Sequence, residues 1–276
     1  MLVLRGFVPG YEIQPTSSLE GIAALYADVG FRPDLVDDLA FVRRLGGIVF
    51  VARRGGEVVG AASCLAFVDS GWIGGLAVRA ADRRHGLGVQ LTTAAMRELG
   101  DRTILLHATD VARPLYRRLG FVPEMEFVEF HCDALPATPN ADLRPGTMHD
   151  LEAVLALDRS ATGEDRGALL AEIWPHGACV AFDAGAVVGF RVPQSQSSVG
   201  AVVASDGTAG GALLATALAD SVGSLRIAVP AGHADLLAYL RRAGCPQTGG
   251  TTRMCLGEPR VWRPERIFAT FNLYWG

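Results

Sequence analysis

Six consecutive residues, Arg83, Arg84, His85, Gly86, Leu87 and Gly88, have the types and spacing to hold a pyrophosphate. An Arg-x-x-Gly-x-Gly turn between a strand and a helix brings two cations and a closely approachable backbone to one place. The first amides of a helix have no carbonyl one turn back to bond, and the aligned peptide dipoles add positive character there. An anion at that end is held by N–H groups as well as by charge. The alternative for so short a stretch is an ordinary glycine turn with two solvated arginines, and the flanks decide between them.

The flanks read as a strand and a helix. The apolar run 72–78 precedes the turn, and Val89, Thr92, Met96 and Leu99 recur at helical spacing after it. A further strand follows at 103–108, then a helix from about Pro114 that Asp110 is placed to cap.

The same order of elements occurs twice. Residues 48–52 and 57–61 flank a Gly-containing turn, as do 178–182 and 186–190, and both read as hairpins. Residues 115–121 (LYRRLGF) then resemble 239–245 (YLRRAGC), each after an apolar strand, 103–108 and 225–230. Two matches in one order imply a tandem duplication. Gly60 and Gly189 lie 129 positions apart and Gly120 and Gly244 lie 124 apart, so the second unit is five residues shorter between them. That interval holds the phosphate-binding turn. Between the units, the segment from Leu135 to Pro145 is rich in proline and small polar residues and reads as a linker and the start of the second unit.

The bulk properties suit a soluble enzyme-sized chain. At 276 residues, 50% hydrophobic and 20% charged, it can bury a sizeable core in one large domain or two ordinary ones. A net charge of −4 with no dominant basic face speaks against nucleic-acid or membrane-surface binding. All 25 basic residues are arginine, which leaves no internal lysine for self-modification or Schiff-base chemistry. The five cysteines (Cys64, Cys132, Cys179, Cys245, Cys255) have no C-x-x-C spacing and are expected as mostly buried, reduced thiols. The six histidines are scattered, so no metal site is expected. With no apolar run of membrane length and no signal-peptide pattern, the expected location is cytoplasmic.

Leu76-Ala77-Val78, the turn 83–88, the strand ending Ala108-Thr109-Asp110 and the run Pro114-Leu115-Tyr116-Arg117-Arg118-Leu119-Gly120-Phe121 together resemble the GNAT superfamily of N-acetyltransferases. Residues 108–121 resemble more narrowly a bacterial subgroup with a degenerate, YitH-type GNAT-like second domain. Leu143, Arg144 and Pro145, Asp150 and Leu151, residues 163–166 and residues 266–271 extend that resemblance over nearly the whole chain. It implies an α/β fold (α+β, GNAT-like) of two tandem acetyltransferase-type domains, each a central mixed sheet flanked by helices. The division is 1–134 for a catalytic domain, 135–142 for a linker and 143–276 for a degenerate domain with an acceptor-pocket or structural role.

The resemblance also implies how acetyl-CoA, or another acyl-CoA, is held as co-substrate. Leu76, Ala77 and Val78 would offer backbone groups to the pantetheine arm. The amides from Arg83 through Arg84, His85, Gly86, Leu87 and Gly88 to Val89 would take the pyrophosphate, and Thr109, Ala112 and Tyr116 would complete the site. A splay from strand 104–108 would leave a slot for the thioester, with an oxyanion donor near Val78. Tyr116 is the implied catalytic acid, because a phenol stays protonated at neutral pH and can donate to the departing thiolate. The other reading of Tyr116 is a semi-buried aromatic.

The general base stays open among Asp69, His107, Asp110, Glu124 and Glu126, since strand 72–78 lacks the carboxylate many relatives carry. Acceptor-side candidates are Asp69, Glu126, Asp165 and Arg166, with a structural ion pair or cap as the other reading of the last two. Trp174, Trp262 and Trp275 read as packing residues.

The second unit reads as non-catalytic. No basic residue lies between Arg191 and Arg226, and Asp206 stands where a phosphate would dock. Tyr239 is five residues before its reference glycine rather than four, a rotation of about 100° on a helix.

The expected activity is acetyl or acyl transfer to a primary amine of a small molecule, directly in a ternary complex, since no cysteine is placed for a covalent intermediate. The alternative is a catalytically impaired acyl-CoA-binding or interaction protein. A third reading, acylation of a protein lysine or N-terminus, would need an open groove.

Overall fold

The β-branched runs form strands where their alternation demands it. The computed structural model describes residues 7–8, 10–32, 34–136, 141–193, 197–221 and 223–273. The first unit runs β1 (Phe7–Val8), β2 (Tyr11–Thr16), α1 (Ile22–Asp28), α2 (Leu35–Arg44), β3 (Ile48–Arg54), β4 (Glu57–Ala66), β5 (Ser70–Val78), α3 (Leu87–Leu99), β6 (Thr103–Ala108), α4 (Arg113–Arg118) and β7 (Val122–Cys132). The second runs β8 (Asp142–Pro145), α5 (Leu151–Thr162), α6 (Gly167–Ile173), β9 (Cys179–Asp183), β10 (Ala186–Val192), β11 (Ala201–Ala204), α7 (Gly207–Ala219), β12 (Leu225–Pro230), α8 (Ala234–Arg242) and β13 (Gln247–Leu256). A short β14 (Ile267–Ala269) follows. The hairpins β3–β4 and β9–β10 stand in equivalent places, as the repeat requires.

The last strands of the two units are exchanged. One sheet has the order β1-β2-β3-β4-β5-β6-β13-β7-β12, and the other β14-β11-β10-β9-β8. Strand β13 lies between β6 and β7, with Arg253 opposite His107 on one side and Thr252 opposite Glu126 on the other. Strand β7 in turn carries β12, with Glu129 opposite Ala228. The large sheet thus interleaves β13 and β12 of the second unit with β7 of the first, while the five-stranded sheet holds second-unit strands alone.

Helix α3 covers one face of the large sheet. Its buried stripe is Leu87, Leu91, Thr92, Ala95 and Leu99, packed with Ile73, Ile104 and Leu106. Val89 and Met96, expected in that stripe, are only half-buried, lying at the flanks of the buried face on which Thr92 and Leu99 sit. On the opposite face Trp72, Leu105 and Cys255 share one apolar cluster with Val154, Leu169, Trp174 and Phe190 of the second unit. Buried Glu164 strengthens that junction, accepting hydrogen bonds from Ser70 Oγ (2.7 Å) and Trp72 Nε1 (2.8 Å). Trp174 is buried and donates to the Thr147 carbonyl, and Trp262 stacks on Phe127. Trp275 and residues 137–140 of the linker lie outside the described residues. No helix among the described residues is long and apolar enough to cross a membrane.

The expectation of reduced thiols is corrected for two cysteines. Cys132 at the end of β7 and Cys245 after α8 form a disulfide, with Cα atoms 4.9 Å apart. Exchange of the last strands brings these positions together across 113 residues of sequence, which spacing alone does not reveal. Cys64, Cys179 and Cys255 are free. A bond closing so long a loop restricts the unfolded chain, so replacing both cysteines by Ser should cost about 2–4 kcal/mol in denaturant titrations. The oxidised parent should lose a similar amount on adding reductant, and no loss in either experiment would show that the bond is not a staple.

Candidate active site

Strands β5 and β6 are parallel neighbours only at their beginnings, where Ser70, Gly71 and Trp72 face Thr103, Ile104 and Leu105. Beyond Trp72 they diverge. A register irregularity between Ala61 and Ser63 of β4 shifts the pairing with β5, and Gly75 takes a left-handed φ of +63° there. Two side chains pin the kink. Tyr26 Oη donates to the Gly75 carbonyl at 2.9 Å, and Ser63 Oγ donates to that of Gly74 at 3.1 Å. A Cβ on Gly75 would come within 2.6 Å of Tyr26 Oη, so only glycine fits. The splayed edge of β5 leaves peptide groups without a strand partner, available to an extended ligand.

A cavity of about 720 Å³ opens in this splay. It is lined by Leu76, Ala77, Val78, Arg83, Arg84, Gly86, Leu87, Gly88, Val89, Thr109, Ala112 and Tyr116. Of the expected donor-site residues only His85 stands apart from it, its ring beside Tyr11 and its Nδ1 3.3 Å from the Asp82 carbonyl. Gly86 is the residue before α3 and has φ +81°, with open space around it. The unpaired amides of Leu87, Gly88 and Val89 therefore lie at the cavity wall. Arg83 Nε donates to the Val78 carbonyl at 3.0 Å, tying the turn to the end of β5.

Tyr116 sits on α4 at the same cavity, 4% exposed, with Phe121 edge-on at 5.7 Å. Burial pushes its phenol well above the usual value, so it is protonated at any ordinary pH. Among the described residues nothing hydrogen-bonds its hydroxyl, which leaves it available to a ligand.

Of the five open candidates for a base, His107 alone lines this cavity. Its ring stacks on Trp72 and meets Phe127 edge-on, and its Nδ1 is 3.2 Å from Thr251 Oγ1. Burial, with Arg253 beside it, pushes the imidazole down to about 3, so it stays neutral. Asp69 is paired with Arg260, Asp110 with Arg113, and Glu124 with Arg253 at 2.8 Å. Asp110 does not cap α4, whose preceding residue is Ala112. Glu126 accepts from Thr252 Oγ1 at 2.8 Å.

The acceptor-side candidates are likewise placed elsewhere. Asp69 and Glu126 lie outside the cavity, and Asp165 is paired with Arg159. Arg166 is 4% exposed and grips Asp158, itself 1% exposed, through Nε at 3.0 Å and Nη2 at 2.6 Å. Residues that local spacing did not mark do reach the cavity: Phe31 between α1 and α2, Thr251 on β13, and Leu273 after β14. Each arrives through a long-range contact, and no nearby motif announces it.

The corresponding place in the second unit is filled by the chain itself. Strand β14 pairs with β11, Val202 facing Ala269, and Thr270 N–H donates to the Ala228 carbonyl of β12. Phe268 is buried in the cluster formed by Leu213, Leu214 and Ile227. Asp206 caps α7 with its own side chain, accepting from Ala209 N–H at 2.9 Å. Tyr239 points to the Pro136 carbonyl.

Residues 46–123 match a family model described as an acetyltransferase (GNAT) domain, and residues 154–269 match a second model of the same description. A crystal structure from Pyrococcus horikoshii assigned as an acetyltransferase superposes with a TM-score of 0.82 at 20% identity, over 98% of this chain and 97% of that one. A GCN5-related N-acetyltransferase from Sphaerobacter thermophilus gives 0.65 at 15% identity, over 93% and 98%. A tandem GNAT protein from the clavulanic acid biosynthesis pathway gives 0.64 at 18% identity, over 91% and 100%. At such identities the likeness is one of fold. No curated protein sequence matches the chain.

Proposed function

With both of its units matched, this chain belongs to the GNAT superfamily and is a GNAT-type acyltransferase, and we propose that it transfers an acetyl group from acetyl-CoA to a primary amine of a small molecule. The observation that carries this reading is the meeting, in one cavity, of a splayed strand edge, a helix N-terminus and a protonated tyrosine.

In this reading the amides of Leu87, Gly88 and Val89 hold the pyrophosphate, with Arg83 and Arg84 adding charge. The β5 edge aligns the pantetheine arm and offers N–H groups to the developing oxyanion. The amine nitrogen attacks the thioester carbon, the C–N bond forms and the C–S bond breaks. The departing sulfur takes its proton from Tyr116 Oη, and the proton lost by the amine returns to the phenolate through solvent. Neutral His107 accepts a hydrogen bond from the incoming amine and orients it.

Transfer is direct in a ternary complex. None of the free cysteines lines the cavity, and burial pushes the Cys64 and Cys255 thiols up to about 12 and about 11, far from a reactive thiolate. Residues 1–134 supply the donor site, and residues 143–276 supply Thr251 and the acceptor wall without binding a second donor. The occupied β11–β12 gap and the self-capped α7 support that division.

Replacing Arg83 and Arg84 together by Ala should weaken acetyl-CoA about three- to tenfold, a modest effect because both arginines are solvent-exposed. Acetyl-pantetheine, which lacks the nucleotide, should be unaffected, and equal weakening of both thioesters would remove the turn from the phosphate site. Calorimetry should find one acetyl-CoA per chain; two would overturn the division of labour.

A further inference from the structure

A second cavity, of about 200 Å³, adjoins the one proposed for acetyl-CoA, and Phe31 and Leu273 line both. It lies between the α1–α2 loop, β7, β12 and the segment after β14. Its walls carry opposite charges that do not meet. Arg226 is 12% exposed and held by the Ser197 hydroxyl at 2.8 Å, and its nearest carboxylate, Asp34, is 3.7 Å away. Asp34 is engaged more closely by Arg32, at 2.7 Å, so the charge of Arg226 is only partly offset. On the neighbouring strand, diagonal to Arg226 across the β12–β7 pairing, Glu129 makes no ion pair with any described cation, and the Thr248 hydroxyl approaches its carboxylate only at 3.5 Å.

We propose that this cavity holds the headgroup of the acceptor, and that the acceptor is an α,ω-diamino acid acylated on its ω-nitrogen. The α-carboxylate is placed against Arg226, the α-ammonium against Glu129, and the side chain runs past Phe31 and Leu273 to the thioester. Separated, incompletely neutralised charges favour a ligand that carries the complementary pair. The neck formed by Phe31 and Leu273 is apolar and suits methylene groups. The spacing agrees as well. Thr251, at the acyl cavity, faces Phe127, and Glu129 lies two residues further along β7. Two residues of strand advance about 7 Å. The side chain of such an amino acid, four or five bonds of about 1.5 Å in a zigzag, reaches roughly 5–6 Å and brings its nitrogen close to that level.

This inference rests on the reading of the larger cavity as the acyl-CoA site. The test is thiol release from acetyl-CoA by the full chain, with lysine and ornithine compared against their decarboxylated diamines, cadaverine and putrescine. The amino acids should have kcat/KM at least tenfold higher, with the acetyl group on the ω-nitrogen by mass spectrometry. Arg226→Leu should erase that advantage by raising KM for the amino acids, leaving the diamines and the KM of acetyl-CoA unchanged. Arg226→Lys, which keeps the charge, should retain most of the preference even if the Leu variant folds poorly. Equal use of diamines and amino acids, acetylation of the α-nitrogen, or equal loss for both classes in Arg226→Leu would each overturn the proposal. If no amine in the panel releases thiol, the proposal also falls, and calorimetric binding of acetyl-CoA then shows whether the donor site stands without it.

Discussion

Tyr116→Phe should lower turnover about a hundredfold and leave the KM of acetyl-CoA within a few-fold, since a positioned general acid is worth roughly that much. The substitution is clean in this environment. The ring is buried against Phe121 and keeps its packing, while the hydroxyl has no hydrogen-bond partner among the described residues to leave unsatisfied. The deficit should narrow with a thioester whose thiol is more acidic, because a better leaving group needs less help. Since burial raises the phenol, the parent rate should show no alkaline fall from Tyr116 ionisation up to about pH 10. A variant with unchanged turnover across pH and leaving groups would remove Tyr116 from the chemistry and leave it as packing.

Arg166→Ala should produce the largest loss of stability. Asp158 is 1% exposed and is gripped through two hydrogen bonds by Arg166, so removing the guanidinium strands a buried carboxylate. Breaking such a pair costs about 3–5 kcal/mol. That is a large share of the 5–15 kcal/mol typical of folded proteins, and it should lower the thermal midpoint by about 10 °C. Replacing both partners, Arg166→Met with Asp158→Leu, should recover part of the loss, because Asp158 no longer leaves a stranded carboxylate while buried Glu164 still loses the neighbouring charge of Arg166. An Arg166→Ala protein with an unchanged midpoint and a raised KM for the amine would instead make Arg166 an acceptor contact.

These two residues show how far local sequence carries a residue's position and where it stops. Tyr116 was legible because its place is local: a strand, a proline-initiated helix and a glycine within about a dozen residues define it. Arg166 was read as an acceptor candidate or an ion-pair member, and its buried partner Asp158 is supplied only by the fold. The thiol expectation failed for the same kind of reason. Cys132 and Cys245 each look like a small apolar residue at the end of an element, and their neighbourhood is created by strands from opposite units. Asp110 followed a sound capping rule, yet α4 begins at Arg113, two residues too late for it.

By itself the sequence determined the duplication, the hairpins, the strand–turn–helix proposed to bind phosphate and the tyrosine beside it. Those features obey short-range rules: alternation in strands, glycine where φ is positive, and unpaired amides at a helix start. The tertiary structure alone decided that β13 lies between β6 and β7, so that Thr251 reaches the first unit's cavity, and that the segment after β14 carries Leu273 there. It alone decided that β14 fills the second unit's gap. The physical reason is that a strand's alternation specifies which face is buried and leaves its neighbour open. Either unit's last strand could satisfy the edge of β6, and the choice is made by the packing of both sheets together.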